Sequence, residues 1–97
     1  MARVVYSLAA LEDLERIVDF LQQESPRSAA AALRQIASAV AILAAHPRIG
    51  RRAKGPLREL VISHGASGYL ALYRFDVLLD VVRVARIRHQ RKAGYRD

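Results

Sequence analysis

The residues best suited to acid–base chemistry in this chain are its three histidines, His46, His64 and His89. Arginines surround His89 in sequence, and their positive charges disfavour a protonated imidazole. A neutral imidazole can accept a proton near neutral pH, so His89 is a candidate general base or acid, with packing or partner contact as the alternatives. His46 follows a predicted helix and His64 precedes a glycine turn, which favours structural or solvent-exposed roles. Without cysteines or close ligand spacing, the histidines predict no zinc site.

The second half of the chain is strongly basic. Residues 1–46 carry four Lys or Arg against five Asp or Glu, a net charge of −1, whereas residues 47–97 carry twelve against four, a net charge of +8. Most of the cations are arginines, which bind carboxylates and phosphates through two parallel hydrogen bonds. We expect an anionic partner, namely nucleic acid, an acidic protein surface or an acidic segment; the alternative is a solvated basic loop. The candidate partner-binding surface comprises Arg48, Arg51, Arg52, Lys54, Arg58, Arg83, Arg86 and Arg91.

The composition excludes several classes of protein. A chain of 97 residues is expected to form one domain over residues 1–97, and 53% hydrophobic with 26% charged residues is typical of a globular protein. Because there is no cysteine, neither a disulfide framework nor a thiolate zinc site is available, and we predict no cofactor. The longest run without Asp, Glu, Lys or Arg, 60–73, has 14 residues and the next, 35–47, has 13, too few to cross a bilayer. We therefore expect a cytoplasmic protein without a membrane partner.

Two amphipathic helices are predicted in the first half of the chain. Ser7 is a candidate N-cap for the first helix, and Ser25 with Pro26 begins the second helix, which ends before Pro47. A connection this short predicts a helical hairpin. The predicted apolar stripes are Leu8, Leu11, Leu14, Val18 and Leu21 in the first helix, and Leu33, Ile36, Val40 and Leu43 in the second.

One predicted strand precedes the helices and three follow them, with a basic connecting loop over residues 48–56. The short spacers between the last three strands predict an antiparallel meander. The fold class is therefore α+β, in the order β-α-α-β-β-β, with the helical hairpin packed on one face of a mostly antiparallel four-stranded sheet. The predicted strands cover residues 3–6, 57–62, 69–75 and 80–88.

The face of the sheet without helices is where we expect function. Arg74 lies in the middle of a predicted strand, and its alternative role is an ion pair with Glu59 or Asp76. Alternation along the last strand does not decide which arginines point away from the core, because each set of alternate residues mixes apolar and cationic side chains. One set is Val81, Arg83, Ala85 and Ile87, and the other is Val82, Val84, Arg86 and Arg88.

Five short segments, taken in order, resemble the RelE/ParE family of small bacterial toxins from type II toxin–antitoxin (plasmid stabilisation) systems. They are HPRIGR at 46–51, LREL at 57–60, GY at 68–69, YRF at 73–75 and IRHQR at 87–91. The resemblance extends over essentially the whole chain and includes the order of helices and strands. It implies one of two activities, mRNA cleavage in the ribosome or poisoning of DNA gyrase.

The resemblance departs from the mRNA-cleaving, RelE-like branch at three positions. The best-known cleaving members carry two lysines on the strand before the Gly-Tyr turn. They also carry an arginine directly after the Gly-Tyr pair. This chain has Val61, Ser63 and Leu70 at those positions. Cleavage requires a deprotonated 2′-OH, a neutralised phosphate and a protonated leaving oxygen, so the loss of three cations removes part of the catalytic set.

A nuclease remains the alternative that the resemblance implies. In that mechanism His89 acts as the base or acid, Tyr95 assists it, and Arg74 or Arg88 stabilises the charge on the phosphate. His89 and Tyr95 lie near the late basic residue and the C-terminal tyrosine of the cleaving branch. The alternative target is then the ribosome and its mRNA.

The ParE-like branch needs no hydrolytic constellation, because it poisons gyrase by binding. The absent cations and the loop at 46–51 favour this branch. The resemblance then implies a toxin that inhibits DNA gyrase by protein–protein interaction. Its implied partner is a small cognate antitoxin whose acidic or amphipathic C-terminal segment folds onto the basic face.

Overall fold

The computed structural model describes residues 1–64 and 67–90. Two helices pack on one face of a sheet, which confirms the predicted α+β class and the order of the main elements. The strands are β1 Arg3–Tyr6, β2 Arg51–Arg52, β3 Leu57–His64, β4 Ser67–Asp76 and β5 Val81–His89; the helices are α1 Leu8–Glu24 and α2 Pro26–Ala41, followed by a 3₁₀ turn at Ile42–Ala44.

The sheet has five described strands in the order β1-β5-β4-β3-β2, so the prediction of four strands was wrong by one. The additional strand, β2, lies inside the segment predicted as a loop and pairs antiparallel with β3. Two residues are too few to show a periodic pattern, so no alternation could predict this strand. The β1–β5 pair is parallel and the other pairs are antiparallel.

Both helices begin at the predicted caps. Ser7 Oγ accepts a hydrogen bond from the Ala10 N–H at 3.0 Å, and Ser25 Oγ accepts one from the Ser28 N–H at 3.3 Å. Pro26 occupies the first position of α2, where a missing N–H has no cost. The single residue Ser25 separates the helices, which pack against each other.

The core lies between α2, α1 and the helix-facing side of the sheet. Ile36, Val40 and Leu43 are fully buried as predicted, but Leu33 is 42% exposed and Ala32 is buried in its place. In α1, Ala10, Leu14, Ile17 and Leu21 face the core, whereas Leu8 and Leu11 are exposed. Alanine at positions 10 and 32 lets the neighbouring helix or strand approach closely. Each helix is therefore oriented with this alanine toward the core and with Leu8, Leu11 or Leu33 toward solvent. The strands contribute Ile62, Tyr69, Ala71, Tyr73, Val82, Val84 and Ile87.

A β-bulge in β5 explains why the alternation of side chains along this strand did not show which of them face the core. Tyr73 pairs with Val84 and Leu72 pairs with Arg86, so Ala85 is the extra residue. An extra residue reverses the face of everything that follows it. Val82 and Val84 therefore face the helices before the bulge, and Ile87 faces them after it.

We expect the protein to lose stability at alkaline pH. Burial raises the pKa of Tyr6, Tyr69 and Tyr73 above the ordinary value of 10.0. The folded state therefore favours the neutral hydroxyls, and this contribution is complete below pH 10.0 and lost as the pH rises through the raised pKa values. Urea unfolding should give a lower free energy at pH 11 than at pH 9, with a smaller loss in Tyr6→Phe. Equal values at both pH values would contradict this.

Candidate functional site

The sheet face opposite the helices, here called the outer face, is rich in arginine and partly exposed: Val61, Arg74 and Arg83 are exposed, whereas Leu70 is buried. The register of β3, β4 and β5 aligns its side chains in rows across the sheet. Because of the bulge, all three arginines of β5 belong to this face. The three rows are Leu57–Arg74–Arg83, Glu59–Leu72–Arg86 and Val61–Leu70–Arg88.

Arg74 and Arg83 form a cationic pair on the outer face that has no counter-charge among residues 1–64 and 67–90. They lie directly opposite each other on β4 and β5, and both are exposed. The alternative ion pairs of Arg74 are not formed, because Glu59 binds Arg51 and the Asp76 carboxylate accepts the Leu79 N–H. Like charges directly opposite in a sheet are destabilising, so this pair favours an anionic ligand.

Arg86, by contrast, is neutralised within the protein. Its Nε donates to Asp13 Oδ2 at 2.8 Å and its Nη2 donates to Asp13 Oδ1 at 3.1 Å. The same carboxylate accepts the backbone N–H of Ile87 at 2.9 Å and an ion pair from Arg16. Asp13 thus covers the edge of β5 beyond the end of β1, and Arg86 contributes little to an anion-binding surface.

The environment of Asp13 favours its ionised form. Burial alone would raise the pKa of this carboxyl group, but the hydrogen bonds from Arg86 and Ile87 and the charges of Arg86 and Arg16 outweigh that effect. The pKa of Asp13 is therefore lowered from 3.8. The sequence contained one sign of this role: Asp13 is three residues after Ala10 and four before Ile17, on the buried stripe of α1.

Three arginines in or next to the basic loop hold its backbone and side chains in place. Arg51 donates through Nε and Nη2 to Glu59 Oε1 at 3.0 and 2.6 Å. Arg58 Nη1 donates to the backbone oxygens of Arg48 and Gly50 at 3.1 and 2.9 Å. The Arg48 guanidinium lies 5.0 Å from the centre of the Phe75 ring, a cation–π contact. These three arginines therefore shape the loop and are only partly available to a partner.

Two loop cations project without a side-chain partner among residues 1–64 and 67–90. Arg52 and Lys54 are both exposed and form no ion pair there. Of the eight residues predicted for the basic surface, these two and Arg83 are the ones most available to an anion. Arg91 lies outside the described residues.

The candidate nuclease residues are divided between the two faces of the sheet. Arg74 and Arg88 lie on the outer face, where Arg88 Nη1 donates to the His89 carbonyl at 3.2 Å. His89 pairs with Tyr69 on the helix-facing side, and their rings meet edge-to-face with centroids 5.4 Å apart. Tyr95 lies outside the described residues. By register, therefore, the His89 ring and the two arginines predicted to bind a phosphate, Arg74 and Arg88, lie on opposite faces of the sheet.

Two of the three positions at which the resemblance implies cations in cleaving relatives, Val61 and Leu70, are apolar and lie on the outer face. Val61 of β3 and Leu70 of β4 are directly paired in register. Val61 is 43% exposed and Leu70 is buried, at 2% exposed, and neither side chain can donate a proton or neutralise a phosphate. Of this pair, only Val61 is available for contact with a protein surface.

The described residues contain neither a cluster of metal ligands nor a membrane-spanning helix. Within residues 1–64 and 67–90, no three His, Asp or Glu side chains are grouped so that they could hold a metal ion. None of the described helices is both long and apolar enough to span a membrane.

Comparison with known proteins identifies the family. The model of the ParE toxin of type II toxin–antitoxin systems, parDE, matches residues 4–94. Toxin RelE3 of Caulobacter vibrioides is 41% identical over 80 residues, which cover 82% of this chain and 85% of that protein.

Two solved structures share the fold. The chromosomal ParDE system from P. aeruginosa has a chain with a TM-score of 0.75 at 24% identity, covering 92% of this chain and 96% of that one. The intact E. coli RelBE toxin–antitoxin complex has a chain with a TM-score of 0.66 at 16% identity, covering 98% and 100%. With the family model and the RelE3 match, the assignment is clear: the chain belongs to the RelE/ParE family of toxins of type II toxin–antitoxin systems.

Proposed function

We propose that this toxin is ParE-like and inhibits DNA gyrase by binding to it. The observation that carries the proposal is the composition of the outer face, where Val61 and Leu70 are apolar and His89 lies on the opposite side. A hydrolytic site needs a proton acceptor and a proton donor around a neutralised phosphate. Binding needs only a complementary surface, and the exposed side chains of the outer face, Val61, Arg74 and Arg83, are apolar and cationic.

A cognate antitoxin is the second proposed partner. One chain of the RelBE toxin–antitoxin complex has the same fold as this protein. Arg74, Arg83, Arg52 and Lys54 lack side-chain partners among the described residues, so an acidic or amphipathic antitoxin segment would neutralise them. Coverage of this charge would also keep the toxin from its target.

A RelE-like ribosome-dependent mRNA endonuclease is the alternative function. It is favoured by the 41% identity to the protein named Toxin RelE3 and by the shared face of Arg74 and Arg88. In that case the two arginines would stabilise the charge of the phosphate, with His89 and Tyr95 as the acid–base groups. The two functions predict opposite results in the same pair of assays.

We expect the purified chain to inhibit gyrase supercoiling and to leave ribosome-bound mRNA intact. His89→Ala should inhibit gyrase to within about twofold of the wild type, because a residue outside the contact surface contributes little to binding. His89→Phe is the matched control, since it removes the imidazole and retains a ring against Tyr69. If the wild-type chain cleaves ribosome-bound mRNA and neither variant does, the protein would instead be a nuclease that depends on His89.

A further inference from the structure

The turn between β4 and β5 exposes a group of large apolar side chains at one end of the molecule. Val77, Leu78 and Leu79 are 62%, 95% and 62% exposed, and Met1 is 93% exposed. Isolated apolar residues on a surface are common, but three consecutive ones at a turn are an exposed patch of the kind found at interaction sites.

Hydrogen bonds hold this turn in place. The Asp76 carboxylate accepts the Leu79 N–H at 3.1 Å, and the Asp80 carbonyl accepts the Arg3 N–H at 3.0 Å. Asp80 also has a φ of 55°, the left-handed conformation of a tight turn. The apolar tip is therefore presented on a defined backbone joined to both β1 and β5, and little ordering is required when a partner binds.

Three arginines adjoin the apolar tip on the outer face. Arg74 and Arg83 are directly opposite each other, and Arg3 lies one diagonal step from Arg83 across the β1–β5 pair. All three are exposed, and their side chains form no hydrogen bond or ion pair within residues 1–64 and 67–90. Together with the tip they form one surface, the hairpin end: Met1, Arg3, Arg74, Val77, Leu78, Leu79 and Arg83.

We propose that the hairpin end is the surface with which the toxin docks on its target protein, at an apolar socket bordered by acidic residues. This inference rests on the proposed function, because it assigns part of the binding to a specific surface. Arginine is among the residues that most often dominate binding energy at interfaces, and Arg3, Arg74 and Arg83 adjoin the apolar tip. An acidic border would relieve the repulsion among Arg3, Arg74 and Arg83, whereas a neutral border would leave it in place.

The charges favour a protein over nucleic acid as the occupant. Asp76 and Asp80 flank the apolar tip on either side in sequence. A phosphate backbone that followed the tip would meet both carboxylates, which would oppose it. A protein surface can instead place its acidic groups over the arginines and its apolar socket over Leu78.

The test compares two hairpin-end variants with two matched controls. Leu78→Ser removes the most exposed side chain of the tip, and the double variant Arg74→Gln/Arg83→Gln removes the cationic pair. Leu8→Ser and Arg34→Gln make the same chemical changes at exposed positions of α1 and α2. Each protein is measured for thermal unfolding, affinity for its antitoxin, inhibition of gyrase supercoiling and growth arrest on expression.

We expect both hairpin-end variants to fold normally and to lose inhibition and growth arrest by about tenfold or more, as hot-spot residues do. The controls should remain within about twofold of the wild type. Full activity in the hairpin-end variants would overturn the proposed surface and leave gyrase as the target. Loss of antitoxin affinity with unchanged toxicity would assign the surface to the antitoxin and also overturn it.

The growth assay separates this inference from the choice of target. If the wild-type protein arrests growth without affecting gyrase, the proposed function fails. The hairpin end is then supported if its variants lose growth arrest and overturned if they retain it. Binding to a 20-base-pair duplex is measured as well. If this binding weakens in the double variant while binding to the target protein does not, the proposal is overturned in favour of nucleic acid.

Discussion

Replacement of Asp13 by alanine is expected to lower the free energy of unfolding by about 3–5 kcal/mol, the usual cost of removing one partner of a buried ion pair. Asp13 is only 4% exposed, and its carboxylate accepts hydrogen bonds from Arg86 and from the Ile87 N–H. Without the Asp13 carboxylate, the half-buried Arg86 guanidinium and the Ile87 N–H at the edge of β5 both lose their hydrogen-bond acceptor. Urea unfolding of the purified protein at neutral pH measures the loss.

Two further variants separate charge from hydrogen bonding at this position. Asp13→Asn loses the negative charge and one acceptor oxygen but retains an oxygen that can accept the Ile87 N–H, so it should be less destabilised than Asp13→Ala. Replacing both partners, as in Asp13→Ala/Arg86→Leu, should recover part of the lost stability, because no buried charge is left without its counter-ion. Additive effects of the two single changes would show that the pair is not coupled.

The same carboxylate makes the stability depend on acidity. Because the pKa of Asp13 is lower in the folded state than its ordinary value of 3.8, its contribution is complete above that pH. The contribution is lost as the pH falls through the lowered pKa of the folded state. Acid unfolding curves of the wild type and Asp13→Asn should therefore converge below pH 3.8, and curves that remained parallel there would contradict the assignment.

The features that could be predicted from sequence are those specified by neighbouring residues. Ser7 and Ser25 begin helices because a serine oxygen can accept an N–H three residues later, and that signal is contained in a few residues. The main strands were also predicted, since β-branched and aromatic runs between glycine and proline turns are local patterns. The fold class follows from the order of such elements.

The features that could not be predicted depend on long-range contacts or on a single extra residue. Asp13 and Arg86 are separated by 73 positions, and nothing near either residue identifies the other. The bulge at Ala85 changes which face each later residue occupies without changing the composition of the strand. Its consequence is large, because it places Arg86 and Arg88 on the outer face with Arg83 and places His89 on the other face.

Tyr73 joins the core to the basic loop, and we expect Tyr73→Ala to cost about 3–5 kcal/mol in unfolding free energy, as for other large aromatic residues replaced by alanine in a core. Its ring is fully buried, and its hydroxyl accepts the N–H of the buried Gly50 at 2.9 Å. A Cβ at position 50 would lie only 2.6 Å from that hydroxyl, so the contact requires glycine. Urea unfolding measures the total cost.

Tyr73→Phe isolates the role of the hydroxyl in holding the loop. It keeps the ring but leaves the Gly50 N–H without its acceptor, at an expected cost of about 1–3 kcal/mol. Amide hydrogen exchange at Gly50 should accelerate in this variant, because the bond that protects it is gone. Tyr6→Phe is the matched control. It removes the hydroxyl of a different tyrosine, one that is partly buried, and leaves the hydrogen bond from the Gly50 N–H to Tyr73 intact. Unchanged exchange at Gly50 in Tyr73→Phe would mean that Arg58, which donates to the Gly50 carbonyl, is sufficient to hold the loop against the sheet.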